Sequence, residues 1–176
     1  AGCTIKFRED SIFLDPRNIE LGARIVINLE KLYLSLKKLG LQSADKNEYY
    51  KLSHEIGIPQ INTEKLQNKL FGIECNFDEL NAIDFKKGCY VGQENTARIK
   101  LKDKLNKRLL PIEVIEGNLE SDILSVEKDE IGKILINDDY PYALIKVKSE
   151  KFDFDKTFNC GSAKVKIKKP DWLQIT

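Results

Sequence analysis

The stretch LLPIEVI, residues 109–115, is the first of four β-rich runs that indicate the fold of this chain. Short runs of apolar and β-branched residues bounded by turn residues are typical of β-strands. Glycine, Asn-Asp-Asp and Phe-Asn-Cys-Gly segments separate the runs. Several strands at this spacing indicate a small barrel or a sandwich. The runs span residues 109–115, 131–136, 142–147 and 163–167.

The residues before this β-rich region mix strands with helices. Residues 4–7 and 11–15 flank a Glu9-Asp10 turn and predict a hairpin, and residues 23–28 predict a further strand. Apolar residues then recur at three- and four-residue steps from Leu29 until Gly40, which predicts an amphipathic helix with a glycine stop.

A second helix is predicted from Asp45 or Lys46 to Ile56 and ends at Gly57-Ile58-Pro59. Ser43 or Asp45 is its expected cap, and its expected core-facing residues are Tyr49, Leu52 and Ile56.

The segment that leads to the β-rich region is less regular. Residues 61–75 carry no clear pattern, residues 76–83 predict a cap with one or two helical turns, and residues 91–100 predict a helix. We expect an α+β fold with a domain boundary near residue 105, giving an α+β domain over 1–105 and a small antiparallel C-terminal β-barrel over 106–176.

Composition limits the class of protein. The 176 residues are 41% hydrophobic and 32% charged, which excludes a disordered chain. The formal charge of +1 argues neither for nor against a nucleic-acid partner. The four cysteines are scattered, and their spacing fits neither a disulfide framework nor a metal site. We therefore predict neither disulfide bonds nor a metal site. We expect a soluble, cytoplasmic protein without a membrane segment, and an N-terminal portion missing before Ala1.

A local concentration of positive charge lies in residues 86–108. Eight basic side chains stand there against two acidic ones, a net charge of +6. Such a segment can hold a polyanion, either RNA or the polyglutamate tail of a folate, or it can be a solvated linker. The basic residues are Lys86, Lys87, Arg98, Lys100, Lys102, Lys104, Lys107 and Arg108.

Cys89 lies within this segment, just before a predicted helix. Nearby cations and a helix N-terminus lower the pKa of a thiol and make it more nucleophilic. Such a cysteine is therefore a candidate nucleophile, and a buried, inert cysteine is the alternative interpretation.

The sequence KGCYVGQE, residues 87–94, followed by Arg98, resembles the K-G-C-[FY]-x-G-Q-E…R signature of the YgfZ family. These proteins are folate-binding relatives of the glycine-cleavage aminomethyltransferase, GcvT. Residues 13–22, 52–59, 131–134 and 143–145 resemble further segments of the same family. The resemblance covers the family's α+β middle domain and its C-terminal β-barrel but not its N-terminal domain.

The resemblance implies a pterin-facing carboxylate at Glu55. A carboxylate can accept two parallel hydrogen bonds from a pterin, although an exposed glutamate at a helix end is the alternative interpretation. Ser53 and His54 depart from the family pattern, which has an arginine and an apolar residue at these positions. His54, the single histidine of the chain, is interpreted as a partly buried helix residue rather than a general base.

The resemblance also implies roles for the signature residues. Cys89 and Lys87 are the candidate catalytic pair. Arg17 and Arg98 either hold folate carboxylates or brace the loop. The expected cofactor is tetrahydrofolate or a one-carbon folate derivative, and no metal ligands are expected. The candidate cofactor-binding residues are Glu55, Arg17, Tyr90, Gln93, Glu94 and Arg98.

The function that the resemblance implies is that of a folate-binding accessory protein. It would support the assembly or repair of iron–sulfur enzymes, including the tRNA-thiolating proteins, and thereby tRNA modification. An accessory binding role is favoured over catalysis. The alternatives are a tetrahydrofolate-dependent aminomethyltransferase of the glycine cleavage system and an RNA- or tRNA-binding module that uses residues 86–108.

Overall fold

A computed structural model describes residues 4–7, 10–88, 93–101 and 105–174 of the chain. The fold is α+β, with a three-stranded sheet and two helices followed by irregular chain, a third helix and a closed antiparallel barrel. The helices are α1 (Leu29–Lys38), α2 (Lys46–Ile56) and α3 (Gln93–Leu101). The strands are β1 (Thr4–Phe7), β2 (Asp10–Leu14), β3 (Ala23–Val26), β4 (Lys107–Glu116), β5 (Ile123–Val126), β6 (Asp129–Ile136), β7 (Tyr142–Lys146), β8 (Thr157–Cys160) and β9 (Ala163–Ile167).

The N-terminal sheet is an antiparallel meander. Thr4 pairs with Phe13 and Phe7 pairs with Asp10, which confirms the predicted hairpin. Leu14 at the end of β2 pairs with Ala23 at the start of β3, so the connecting loop returns the chain directly. This loop holds Asp15 and Arg17 at the end of the sheet.

Both predicted helices of the first half form. Asn28 caps α1 by accepting a hydrogen bond from the Glu30 backbone N–H, and Asp45 caps α2 by accepting one from Asn47. Gly57 ends α2 in a left-handed conformation with φ of 87°, where glycine has no steric penalty.

The buried face of α2 differs from the expected one. Tyr49 and Ile56 pack against a small core, as predicted, but Leu52 is 40% exposed. Ser53 is buried instead, because its hydroxyl donates to the Ile58 carbonyl and so reaches across the turn that ends the helix.

Between α2 and α3, the chain is irregular. A 3₁₀ turn covers Thr63–Leu66, and turns follow it. Residues 76–83 form no regular helix but keep one hydrogen-bonded helical turn, from the Leu80 N–H to the Asn76 carbonyl. Asn76, the expected cap, adopts a left-handed φ of 62°, and its side-chain amide donates to the Leu109 carbonyl. That hydrogen bond fixes the loop to the barrel rather than capping a helix.

The β-rich region closes into a barrel, which resolves the choice between barrel and sandwich. The strand order among the described residues is β4-β7-β6-β5-β8-β9, and β4 closes the ring against β9. Two strands, β5 and β8, were not expected. Strand β5 has only four residues, and the Phe-Asn-Cys-Gly segment predicted as a turn instead contributes Phe158, Asn159 and Cys160 to β8, with the turn beginning at Gly161. The barrel interior is filled by fully buried side chains, among them Leu110, Ile112, Leu124, Ile145, Phe158 and Val165.

Several polar contacts join the barrel to the preceding chain. Arg108 on β4 forms an ion pair with Glu79 at 2.6 Å and donates to the Asn76 side chain at 3.2 Å. Trp172 donates its indole N–H to the carbonyl of Ile56 at 2.7 Å. The predicted boundary at residue 105 falls just before β4, and contacts of this kind cross it.

Candidate functional site

A cavity of about 580 Å³ lies where the loop after β2, the end of α2 and the irregular chain meet the first barrel strand. Its volume is within the range of small-molecule sites. Most of the lining is apolar, and Arg17 is the one charged residue among the described residues that line it. The apolar lining includes Ile58, Leu66, Leu70, Phe77, Leu80 and Leu109.

Arg17 is held in place by a buried carboxylate. Its Nε and Nη2 atoms donate to the two oxygens of Asp15 at 3.0 and 2.8 Å. Arg24 on β3 also donates to Asp15, at 2.7 Å. The Asp15 side chain is fully buried, and its hydrogen bond to Arg17 holds the pKa of that carboxyl well below its usual range despite the opposing effect of burial. Asp15 is therefore ionised, and the hydrogen bond to it raises the pKa of Arg17.

The outer edge of the Arg17 guanidinium faces Gln60. With the Gln60 amide oriented so that its oxygen faces the arginine, that oxygen accepts from Nη1 and Nη2 at 2.8 Å each. Gln60 lines the same cavity. One edge of the guanidinium thus contacts a buried carboxylate, and the other contacts a neutral amide at the cavity wall.

Cys75 also lines this cavity, but as an apolar group. Burial raises the pKa of its thiol to about 11, so the sulfur is protonated at neutral pH. A protonated thiol is a poor nucleophile. Cys75 thus contributes to packing in the cavity rather than to covalent chemistry.

Glu55 and Arg17 line different concavities. Glu55 is exposed on α2 and lines an open depression of about 740 Å³. This depression shares no lining residue with the Arg17 cavity among the described residues. Arg17 and Glu55, which the resemblance assigns to one ligand, therefore line separate concavities. The depression also includes Lys51, His54, Glu113, Tyr140 and Lys168.

His54 joins α2 to the barrel. Its Nε2 lies 3.0 Å from the carbonyl oxygen of Pro141, and its ring meets the edge of the buried Tyr142 ring with centroids 5.2 Å apart. A carbonyl only accepts, so Nε2 carries the proton. Burial lowers the pKa of His54. These contacts agree with its interpretation as a partly buried helix residue.

The signature segment is described only in part. Cys89 and Tyr90 lie outside the described residues, and Lys87 just before them is exposed. Gln93 is the first residue of α3, and Glu94 and Arg98 are exposed along this helix. The roles assigned to these residues by resemblance remain predictions.

Two cations of the basic segment have acidic partners. Lys100 forms an ion pair with Asp78 at 2.6 Å and lies over the Phe85 ring at 4.0 Å. Arg108 is nearly buried in its ion pair with Glu79. For these two side chains the contacts favour a structural role over binding a polyanion.

Within the described part of the chain, no group of three or more His, Cys, Asp or Glu residues is placed to hold a metal ion. The helices of that part are too short to span a membrane.

The sequence showed the motif that contains Arg17, but it gave no sign of the Arg17 cavity. The lining side chains come from residues 17, 58–82 and 109. The one signal available in advance was the Asp15-Pro16-Arg17 segment, which does not reveal which residues lie opposite it.

Comparison with known proteins finds relatives that are described as assembly factors for iron–sulfur clusters, although no family model matches the chain. It is 34% identical over 112 residues to "Iron-sulfur cluster assembly factor IBA57 homolog, mitochondrial" of Dictyostelium discoideum, covering 63% of this chain and 28% of the relative. Identity is 37% over 97 residues to the protein of the same description from Neurospora crassa, and 32% over 105 residues to "Iron-sulfur cluster assembly factor IBA57, mitochondrial" of Mus musculus. These matches cover 55% and 60% of this chain and 22% and 28% of the relatives.

The chain therefore matches about a quarter of the length of these curated relatives. All of them are named as mitochondrial, which contradicts the expected cytoplasmic location. Unpaired cysteines and a near-neutral charge report on redox conditions and solubility, not on the compartment itself. The comparisons show similarity to assembly factors for iron–sulfur clusters.

Proposed function

We propose that this chain is part of an accessory protein for iron–sulfur cluster assembly in the mitochondrion. The observation that carries the proposal is its 34% identity over 112 residues to an assembly factor of that description. The signature at residues 87–94 independently indicates a family with the same kind of role. Iron–sulfur enzymes are the proposed partners. The tRNA-thiolating enzymes among them, and hence tRNA modification, rest on the family resemblance alone.

The proposed cofactor is tetrahydrofolate or a one-carbon derivative, bound at the Glu55 depression. Glu55 is exposed and can accept hydrogen bonds from a pterin. Lys51 and Lys168 line the same depression and can bind the carboxylates of the glutamate tail, while the Tyr140 ring provides a flat apolar surface. Arg17 lies in the other cavity, so a folate bound at the Glu55 depression does not occupy the cavity that Arg17 lines.

The proposed role of Cys89 is that of an activated thiol, with Lys87 favouring the thiolate. The sequence places it four residues before Gln93, which begins α3. We propose that this thiol is needed for the assembly function, whereas the protonated Cys75 is not.

Complementation tests this function. A strain lacking its own homologue receives the wild-type coding sequence in its full-length context, the Cys89→Ser variant, or the Cys75→Ser control. We expect the wild type and Cys75→Ser to restore the activity of mitochondrial iron–sulfur enzymes, and Cys89→Ser to leave it low at equal protein level. Failure of the wild type would refute the assembly function, and full activity of Cys89→Ser would refute the thiol's role.

Folate binding is tested separately by calorimetry with tetrahydrofolate. Glu55→Gln removes the charge from the proposed pterin acceptor and should weaken binding about tenfold, the usual effect of losing a charge-assisted hydrogen bond. Glu48→Gln is the matched control, because Glu48 is exposed on the same helix and lines neither cavity. Equal affinities of the two variants would remove Glu55 from the site.

The two alternative functions have direct tests. An aminomethyltransferase would turn over with the carrier protein of the glycine cleavage system, and we expect no turnover. An RNA-binding module would be retained on RNA with a steep salt dependence. The ion pairs of Lys100 and Arg108 reduce the charge available for that role.

A further inference from the structure

The Arg17 cavity combines an apolar wall with one cation whose outer edge is bound by a neutral group, the Gln60 amide. Asp15 occupies the Nε–Nη2 edge of the guanidinium, and Gln60 occupies the Nη1–Nη2 edge. A guanidinium edge matches the two oxygens of a carboxylate. Gln60 offers a single neutral oxygen instead.

The charges around this edge favour an anion. One carboxylate, that of Asp15, interacts with two guanidinium groups, those of Arg17 and Arg24, which leaves a net charge of +1. Arg17 is the one charged residue that the described chain contributes to the cavity wall. Its side chain is 26% exposed, so the charge is partly shielded from water but accessible from the cavity.

From this geometry we propose that the cavity binds a small carboxylic acid with an apolar body. The acid's carboxylate replaces the Gln60 oxygen on the outer edge of Arg17, and its apolar body lies against Leu66, Leu70 and Phe77. The exchange is favourable, because a carboxylate carries the charge opposite to that of Arg17 and presents two oxygens that match the guanidinium edge, whereas Gln60 presents one neutral oxygen. A volume of about 580 Å³ accommodates such a molecule.

This site is independent of the proposed folate site. The two concavities share no lining residue among those described, so a ligand at Arg17 does not occupy the surface around Glu55. Gln60 acts here as a replaceable acceptor that satisfies Arg17 when no acid is bound.

The test compares two probes that differ in one group. Calorimetry measures binding of 4-phenylbutyrate and of the neutral 4-phenylbutan-1-ol to the full 176-residue chain. We expect the acid to bind about tenfold more tightly, since only the acid forms a two-oxygen ion pair with Arg17. Equal affinities, or no binding of the acid at millimolar concentration, would overturn the proposal.

Substitutions at Gln60 test the mechanism. Gln60→Glu places a tethered carboxylate on the outer edge of Arg17, so we expect the acid to lose about tenfold in affinity while the alcohol is unaffected. Gln60→Ala removes the competing oxygen, so the affinity for the acid should stay the same or rise. Unchanged acid binding in Gln60→Glu, or weaker acid binding in Gln60→Ala, would contradict the exchange.

Arg24→Gln is the matched control. Arg24 contacts the same Asp15 carboxylate but does not line the cavity, so its loss lowers the local charge by one and should reduce the preference for the acid without abolishing it. Loss of that preference in Arg24→Gln would show that a diffuse positive field, rather than the Arg17 edge, selects the anion. Glu55→Gln should leave binding of the acid unchanged, which separates failure here from failure of the folate proposal.

Discussion

The indole N–H of Trp172 donates to the backbone carbonyl of Ile56 across 2.7 Å, linking the C-terminal segment to the end of α2. The two residues are separated by 116 positions in the chain. Helix ends leave carbonyl groups without an intrahelical partner, and this contact satisfies one of them. The barrel and the α+β portion therefore stabilise each other through a specific hydrogen bond.

Replacing Trp172 by Phe removes the donor and keeps an aromatic ring. We expect a loss of about 1 kcal/mol in the free energy of unfolding, because the Ile56 carbonyl loses its partner at a partly buried position. Urea denaturation of the wild type and the variant measures this loss of stability. Tyr33→Phe is the control, since Tyr33 is 69% exposed and its hydroxyl has access to water. Equal stability of wild type and Trp172→Phe would show that the hydrogen bond contributes nothing.

The Asp15–Arg17 pair should dominate the acid sensitivity of the first half of the chain. Since the pKa of Asp15 is lowered on folding, its contribution is fully present above the usual carboxyl pKa and is lost as the pH falls below it toward the native value. Asp15→Asn should cost about 2–3 kcal/mol at pH 7, because two guanidinium groups lose their shared carboxylate.

The cost of Asp15→Asn should also shrink toward pH 2, where the wild-type carboxylate loses its advantage. Denaturation midpoints of wild type and variant measured between pH 2 and pH 7 test this. A constant difference between them over that range would contradict the assignment. Asp45→Asn is a suitable control, because Asp45 is an exposed cap and asparagine caps helices equally well.

His54 should make the protein less stable in mild acid. Burial lowers its pKa below the usual 6.5, so the unfolded chain binds a proton at a pH where the folded chain does not. The free energy of unfolding therefore falls as the pH drops below about 6.5 and stops falling from this cause below the native pKa.

A glutamine in place of His54 keeps a donor for the Pro141 carbonyl, but its amide does not titrate. Because His54 is the one histidine of the sequence, this variant should lack the decrease in stability between pH 7 and pH 5. Thermal unfolding at several pH values measures the slope. A slope that persists in His54→Gln would assign it to carboxyl groups instead.

Gly57 should not tolerate a side chain. A Cβ at this position would lie 2.4 Å from Cγ of Pro170, and the φ of 87° is unfavourable for any other residue. We expect Gly57→Ala to cost about 3 kcal/mol. Gly40→Ala separates the two effects, because Gly40 also has a positive φ of 65° but a Cβ there meets no atom within 4 Å. Gly40→Ala should cost only about 1 kcal/mol, and equal losses would show that the Pro170 contact is unimportant.

Local patterns predicted most of the regular structure. The hairpin of β1 and β2, the helices α1 and α2, the Asp45 cap of α2 and four barrel strands follow from apolar spacing, capping residues and turn residues, which act over a few positions. Strands β5 and β8 did not follow, because their pairing depends on neighbouring strands already arranged in a ring. The asparagine at 76 suggested a helix cap, but its distant contact with Leu109 determined its conformation.

For the candidate site, the sequence by itself determined the residue types: a signature around Cys89, a carboxylate at Glu55 and an arginine at position 17. Tertiary structure decided which of the described residues meet. It placed Glu55 and Arg17 in different concavities and set Gln60 opposite Arg17. The reason is physical: short-range preferences act along the chain, whereas a cavity forms where distant segments pack together and leave space between them.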